Sequence, residues 1–140
     1  MIARILICTG SLIILGLGFL HLSYTFFTNK FLPRNSNVER EMKNTTPRLT
    51  NSTTLWNAWI GFNASHGLGA MYFGSLNLFL AIWYFTFFQE SVVLHLLNIA
   101  TLLFYLFLAK RYWFRIPLMG IGIASICFIM AFLLLFIIWV

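Results

Sequence analysis

The chain has 140 residues, of which 61% are hydrophobic and only 9% are charged, and its formal net charge is +6. A water-soluble domain carries about a quarter of its residues charged, so this composition excludes an ordinary soluble domain. The basic residues are divided between two short segments beside apolar runs, and no nucleic-acid motif occurs. The charge therefore favours contact with anionic headgroups of a lipid bilayer and argues against nucleic acid as a partner.

Four apolar runs are long enough to cross a membrane as helices, since about 18–20 apolar residues span the ~30 Å hydrocarbon layer. The runs are continuous rather than alternating, which favours helices over a membrane barrel. The predicted fold class is therefore all-α, a transmembrane four-helix bundle. The predicted spans lie at about 5–27, 55–88, 91–109 and 116–140. We expect one membrane domain over residues 1–140, with a polar loop at about 28–54.

The first span is long and ends in His-Leu-Ser-Tyr-Thr-Phe-Phe, residues 21–27, rather than in a small-x-small cleavage site. We therefore expect it to be retained rather than removed as a signal peptide. In the polar loop, the charged segment 39–43 favours one short surface helix. A hydroxyl or amide side chain within 50–54 is expected to cap the helix that begins at Leu55.

The second predicted span exceeds 30 residues and must therefore tilt or protrude from the membrane. A very short turn at Gln89 and Glu90 joins it to the third span, so these two spans are expected to form an antiparallel hairpin. The connector 110–115 mixes basic and aromatic side chains, which is typical of an interfacial segment. Pro117 stands near the start of the fourth span, where its missing N–H costs nothing.

Orientation follows from the distribution of Lys and Arg. Five lie in the first loop and three in the connector between the third and fourth spans, whereas the opposite side holds only Arg4. The positive-inside rule then places the loops 28–54 and 110–115 in the cytoplasm and both termini outside. Arg4, near the N-terminus, argues weakly for the reverse.

Polar and small residues share one face on three of the predicted helices, by the 3.6-residue helical period. On the second span, this face comprises Asn63, His66, Gly67, Ala70, Gly74, Asn77 and Ala81. On the third span, it comprises His95, Asn98, Leu102 and Tyr105. On the first span, it comprises Gly18, His21, Thr25 and Thr28, with Tyr24 beside them. Because polar side chains in lipid are costly, we expect these faces to point into a common interior.

Depth along the helices divides these residues into two layers. His21 lies roughly 9 Å from the first-loop surface, and His66 roughly 16 Å along an upright helix and less along a tilted one. The predicted layer towards the first loop comprises His21, Tyr24, Asn63, His66 and Tyr105. The predicted second layer comprises Asn77, His95 and Asn98.

These side chains have a structural interpretation, since Asn and His commonly hydrogen-bond between membrane helices at about 0.6 kcal/mol each. His21 and His66, two histidines at similar depth beside Asn and Tyr, favour a binding site instead. Such a pair could ligate haem iron or another metal, relay protons, or hydrogen-bond the polar end of a lipid-like or quinone-like molecule.

Absent residue types limit the chemistry of such a site. The three acidic residues, Glu39, Glu41 and Glu90, lie outside the predicted spans, so a catalytic pair of carboxylates is missing. No Lys or Arg lies mid-span, which disfavours ion-coupled transport. Cys8 and Cys127 are interpreted as small apolar fillers rather than as a redox pair.

The segment 56–69 contains the pattern Trp59-x-Gly61-Phe62-Asn63-x-Ser65-His66, and it follows His21-Leu22-Ser23-Tyr24 earlier in the chain. With the connector 110–114, this pattern resembles an uncharacterised family of small four-pass bacterial membrane proteins. The resemblance covers most of the chain and implies a bacterial inner-membrane location and a four-helix fold. It implies no activity, but it points to His21, Asn63, Ser65 and His66 as candidate ligand-binding residues.

Three functional hypotheses follow. The leading one is a membrane protein, without catalytic activity, that holds a small apolar ligand or a partner helix at the His21/His66 layer. The second is a redox or isomerase-type enzyme that uses His21 and His66 as metal or haem ligands or as acid–base groups. The third is a structural subunit, either of a homo-oligomer or of a complex with another membrane protein.

Overall fold

The computed structural model describes residues 1–137, and the regular structure in this part of the chain is entirely helical. The end of the predicted fourth span, residues 138–140, lies outside the described residues. The helices are α1 (Ile2–Phe27), α2 (Ser36–Asn44), α3 (Leu55–Trp83), α4 (Phe85–Glu90), α5 (Val92–Tyr112) and α6 (Arg115–Phe136). The predicted all-α class is confirmed.

Three of these helices, α1, α5 and α6, are long and apolar enough to cross a membrane. They support the prediction of a transmembrane protein. The predicted second span corresponds to α3 and α4, and α3 is not among the three, because its sequence interrupts large apolar residues with Asn, His, Ser and Gly.

Packing divides the chain into two compact units. The first unit comprises Met1–Leu17 and the described residues from Ala70 onward, and the second comprises Gly18–Gly69. Both boundaries fall inside helices, one within α1 and the other within α3.

In the first unit, glycines bring helices into close contact. A Cβ added at Gly74 of α3 would lie 2.7 Å from the carbonyl oxygen of Ser11 and 2.7 Å from the nitrogen of Leu15, both on the backbone of α1. A Cβ at Gly10 of α1 would lie 2.9 Å from the ring of Phe128 on α6. Small residues therefore set the approach of α1 to both neighbours, as is usual where no hydrophobic driving force acts between membrane helices.

The predicted second span is not one continuous helix, because it breaks at Tyr84, which adopts φ −131° and ψ 42°. The guanidinium of Arg4 donates a hydrogen bond of 2.6 Å to the carbonyl oxygen of Ile82, in the last turn of α3. Carbonyls in that turn have no partner within their own helix, so Arg4 satisfies an acceptor that the break exposes. The Arg4 guanidinium also lies 5.8 Å from the ring centroid of Phe85, beyond the break.

In the second unit, the polar loop forms the short helix that its charges predict. The Asn35 side chain caps α2 by accepting a hydrogen bond from the nitrogen of Asn37. A salt bridge of 2.6 Å joins Lys43 to Glu39, one turn apart. The Thr54 hydroxyl accepts a hydrogen bond from the nitrogen of Asn57, so α3 begins at Leu55 with a cap from the predicted segment.

The predicted inward face of α3 is confirmed by burial. Five of its seven residues are buried, namely Asn63, Gly67, Gly74, Asn77 and Ala81, and His66 and Ala70 are partly buried. The opposite surface of the helix exposes large apolar and aromatic side chains, among them Phe62, Leu68, Tyr72, Leu76, Phe79 and Ile82. In α3, Asn63 and Asn77 are thus buried, whereas large apolar side chains are exposed.

Candidate functional site

The site in the second unit is organised by the side-chain amide of Asn63. Its Nδ2 donates a hydrogen bond of 2.8 Å to the carbonyl oxygen of Trp59, one turn earlier in α3. This bond fixes which end of the amide faces α1, and the end that does so is the oxygen. Asn63 Oδ1 lies 3.2 Å from Nε2 of His21.

The amide oxygen of Asn63 determines the tautomer of His21. An amide oxygen can only accept a hydrogen bond, so Nε2 of His21 must carry the hydrogen and donate it. In a neutral imidazole, the other ring nitrogen then bears the lone pair. The contact from Trp59 through Asn63 to His21 therefore leaves Nδ1 of His21 as the atom that can accept a hydrogen bond or ligate a metal.

The ring of His66 lies beside that of His21. The two ring centroids are 5.0 Å apart and the planes are inclined at 63°, an edge-to-face arrangement. Gly67, the next residue, permits this approach, because a Cβ there would lie 3.1 Å from the backbone nitrogen of Leu22. The prediction that His21, Asn63 and His66 lie together is confirmed for the His21–Asn63 and His21–His66 pairs.

Two residues of the first loop complete this site, and the sequence reasoning did not identify either one. The ring of Phe31 lies 4.8 Å from that of His21 and 6.1 Å from that of Tyr24, centroid to centroid. The ammonium of Lys30 lies 4.2 Å from the centroid of the Tyr24 ring. The available signal was the apolar pair Phe31-Leu32, which interrupts an otherwise polar loop four residues after the end of α1.

Ser65 and Tyr105 are the other two predicted ligand-binding residues. Ser65 is exposed, and its hydroxyl donates a hydrogen bond of 3.0 Å to the carbonyl oxygen of Phe62 in its own helix. Tyr105 is partly buried on α5, in the first unit. The assignments of Ser65 and Tyr105 to a ligand site therefore stay predictions.

In the first unit, Asn77 and Asn98 join α3 to α5 as a reciprocal amide pair. Asn98 Nδ2 donates to Asn77 Oδ1 at 2.7 Å, and Asn77 Nδ2 donates to Asn98 Oδ1 at 3.2 Å. Asn77 Nδ2 also lies 2.9 Å from the carbonyl oxygen of Phe73. Both side chains are buried, so each amide satisfies the other where water is absent.

His95, the third predicted member of the second layer, is fully buried among aromatic rings. Its Nε2 donates a hydrogen bond of 3.1 Å to the carbonyl oxygen of Phe88. The rings of Phe88, Phe132 and Phe136 surround it at centroid distances of 5.2, 6.0 and 5.2 Å. This environment is that of a packed core histidine that closes the turn from α4 to α5.

The donor set at His21 and His66 limits metal chemistry. Within residues 1–137, no group of three or more His, Cys, Asp or Glu side chains could hold a metal ion. Two imidazoles supported by an amide oxygen could provide at most part of a coordination sphere. The geometry leaves Nδ1 of His21 as a hydrogen-bond acceptor on a ring that lies beside those of His66 and Phe31.

Comparison with protein-family models, with curated proteins and with solved structures finds no match for this chain.

Proposed function

We propose that the chain is a four-crossing membrane protein that binds a small, largely apolar molecule, whose hydrogen-bond donor meets His21 beside His66. The proposal has two parts. In the first, α3 crosses the membrane together with α1, α5 and α6. In the second, the His21 site binds a hydrogen-bond donor group of the ligand.

The crossing of α3 is supported by its length and its neighbours. Its 29 residues extend about 43 Å, which exceeds the ~30 Å hydrocarbon layer. In the first unit, α3 contacts α1 at Gly74 and receives the hydrogen bond of Arg4 at its C-terminal end. In the second unit, Gly67 and Asn63 contact α1 as well. Since α1 is itself long and apolar enough to span, a helix in antiparallel contact with it in both units crosses with it.

Four crossings agree with the distribution of positive charge. They place the loop 28–54 and the connector 110–115 on one side, which the positive-inside rule assigns to the cytoplasm, and both termini on the other. The resemblance to four-pass bacterial proteins leads us to propose the bacterial inner membrane as the location.

One observation carries the ligand proposal: the hydrogen bonds from Trp59 through Asn63 fix the His21 tautomer and leave Nδ1 as an acceptor. A neutral imidazole has one N–H donor and one acceptor nitrogen. Here one partner is already provided, and the second nitrogen belongs to a ring in contact with those of His66 and Phe31. An acceptor among aromatic rings fits a hydroxyl or N–H group at the end of an apolar molecule.

Native mass spectrometry from mild detergent tests this proposal. The wild-type protein should retain a small molecule that His66→Ala and His21→Ala lose, because both rings line the site. Asn57→Ala is the matched control, since this polar residue on the same helix is exposed and should leave retention unchanged. The secondary structure of each variant, measured by circular dichroism, must equal that of the wild type. Unchanged retention in both histidine variants would contradict the proposal, and a co-purified protein in place of a ligand would favour the structural-subunit hypothesis.

A metal site at His21 and His66 is the second candidate, and one observation favours it. Histidines that ligate metals usually donate their other ring N–H to a carbonyl or carboxylate oxygen, as His21 does to Asn63. Elemental analysis and the absorption spectrum of the purified protein decide this question. A metal at one equivalent that is lost in His21→Ala would establish the site, and a Soret band would identify haem. Metal content at background level would exclude it.

A further inference from the structure

Beside the His21 site, the loop holds a positive charge, that of Lys30, which forms no ion pair with any carboxylate of residues 1–137. The ammonium of Lys30 lies 4.2 Å from the centroid of the Tyr24 ring, and the next residue, Phe31, contacts both Tyr24 and His21. Lys30 is exposed, and its cation lies against the ring of Tyr24 at the solvent-facing edge of the site. Lys30 follows the last residue of α1 by three positions, at the depth where lipid headgroups lie.

The charges around Lys30 leave it available to an anion. The chain has three acidic residues, and within residues 1–137 the one ion pair is that of Glu39 with Lys43. Lys43 provides an internal comparison, because its ammonium also lies over an aromatic ring, at 4.9 Å from Trp56, but is paired with Glu39 at 2.6 Å. Of these two cations held by aromatic rings in the loop, Lys30 has no acidic partner.

We infer that the ligand is an anionic glycerophospholipid with a hydroxyl in its headgroup, whose phosphate meets Lys30 and whose hydroxyl donates to His21. This inference rests on the proposed function and adds the class of ligand. Lysine binds phosphate as a point charge through three N–H donors. A phosphoglycerol headgroup has the anion and the hydroxyl a few bonds apart. A choline headgroup has a cation that Lys30 repels and no hydroxyl for His21.

The test measures the retention of defined lipids by the full-length protein in nanodiscs and by native mass spectrometry. Four probes separate charge from hydroxyl: phosphatidylglycerol has both, phosphatidylmethanol only the charge, diacylglycerol only the hydroxyl, and phosphatidylcholine neither a net charge nor a hydroxyl. The wild-type protein should prefer phosphatidylglycerol to phosphatidylcholine by at least about fivefold, the factor expected for one cation near the membrane surface. Lys30→Gln should abolish the preference for the negatively charged lipids but keep the preference for lipids with a hydroxyl. Lys30→Arg should keep both preferences, because it keeps the positive charge.

The matched controls are Lys43→Gln and Arg34→Ala, which remove other positive charges of the same loop. Both should keep the preference for phosphatidylglycerol. His21→Ala should abolish the difference between phosphatidylglycerol and phosphatidylmethanol while keeping the preference of both over phosphatidylcholine.

The outcomes separate this inference from the proposed function. If Lys30→Gln keeps the full preference for charge, or if Lys43→Gln loses as much, the assignment of the phosphate to Lys30 is wrong. The proposed function survives that result provided that His21→Ala still loses diacylglycerol. If His21→Ala retains diacylglycerol undiminished, the proposed function fails. Equal competition by soluble glycerol phosphate would overturn the lipid assignment, because the acyl chains would then contribute nothing.

Discussion

Asn77 and Asn98 show what a buried amide does inside an apolar helix pair. Each donates to the oxygen of the other, and the shorter bond is 2.7 Å. Both donors and acceptors are therefore largely satisfied without water or ligand. This is the structural interpretation of a polar layer. It contrasts with His21, where Asn63 contacts one ring nitrogen and the other is the acceptor for the ligand that we propose.

Replacing Asn77 by Leu should destabilise the protein by about 1–3 kcal/mol, because the amide of Asn98 then loses its partner in a buried position. The double variant Asn77→Leu/Asn98→Leu should be less destabilised than the sum of the two single variants, since it leaves no amide unpaired. Reversible unfolding in mixed detergent micelles measures the free energies. Additive losses in this cycle would show that the two amides are not coupled.

The sequence identified most of the polar residues but not all of their surroundings. Helical spacing was sufficient to place Asn63 and His66 on one face of α3, because side chains three and four apart share a face. The depth of His21 along α1 then matched it to His66. It was insufficient for Lys30 and Phe31, since a loop has no period and their positions depend on a turn in which Leu32 bonds to Asn29.

At the scale of the element, the start and the inward face of α3 depend on nearby sequence, whereas its end involves a residue far away in the chain. Its start at Leu55 and its inward face were both predictable, because the cap at Thr54 and the spacing of small residues lie within or beside the segment. Its end at Trp83 was not predictable. The contact that satisfies the exposed carbonyl of Ile82 comes from Arg4, 78 positions earlier in the chain.

Gly74→Ala should destabilise the protein by about 1–3 kcal/mol, because the new methyl would lie 2.7 Å from backbone atoms of α1, which cannot yield as a side chain can. Gly61→Ala in the same helix is the control. A Cβ there meets nothing within 4 Å, so this variant should be neutral or slightly stabilised by its better helix propensity. The thermal unfolding midpoint in detergent compares the two, and equal midpoints would refute the close contact at Gly74.

For the whole molecule, the open quantity is the number of crossings. Length and composition alone identify three helices, because averaging over α3 combines its polar interior with its apolar exterior. Burial separates the two surfaces, since Asn63 and Asn77 are 8% and 2% exposed whereas Phe62 is 71% exposed. The exposed surface of α3 thus carries large apolar side chains such as Phe62 and Tyr72.

Labelling of single cysteines measures the number of membrane crossings. Cys8 and Cys127 are replaced by Ala, and a cysteine is then introduced at Ser52 before α3, at Gln89 after it, or at Arg115 in the connector. If α3 crosses, a membrane-impermeant maleimide applied to intact cells should label Gln89→Cys, whereas Ser52→Cys and Arg115→Cys should react only after the cells are opened. Labelling of Ser52→Cys and Gln89→Cys from the same side would show that α3 does not cross.

The inward polar face of α3 has a consequence for how the protein is made. As an isolated helix in lipid, α3 would expose Asn63 and Asn77 to hydrocarbon, where each unmet polar group is costly. The helix that packs against this face, α1, precedes it in the chain and is complete before α3 leaves the ribosome. Because α1 is translated first, it is present before α3 needs a partner for its polar face. We therefore expect the insertion of α3 to depend on α1 being already inserted in the bilayer.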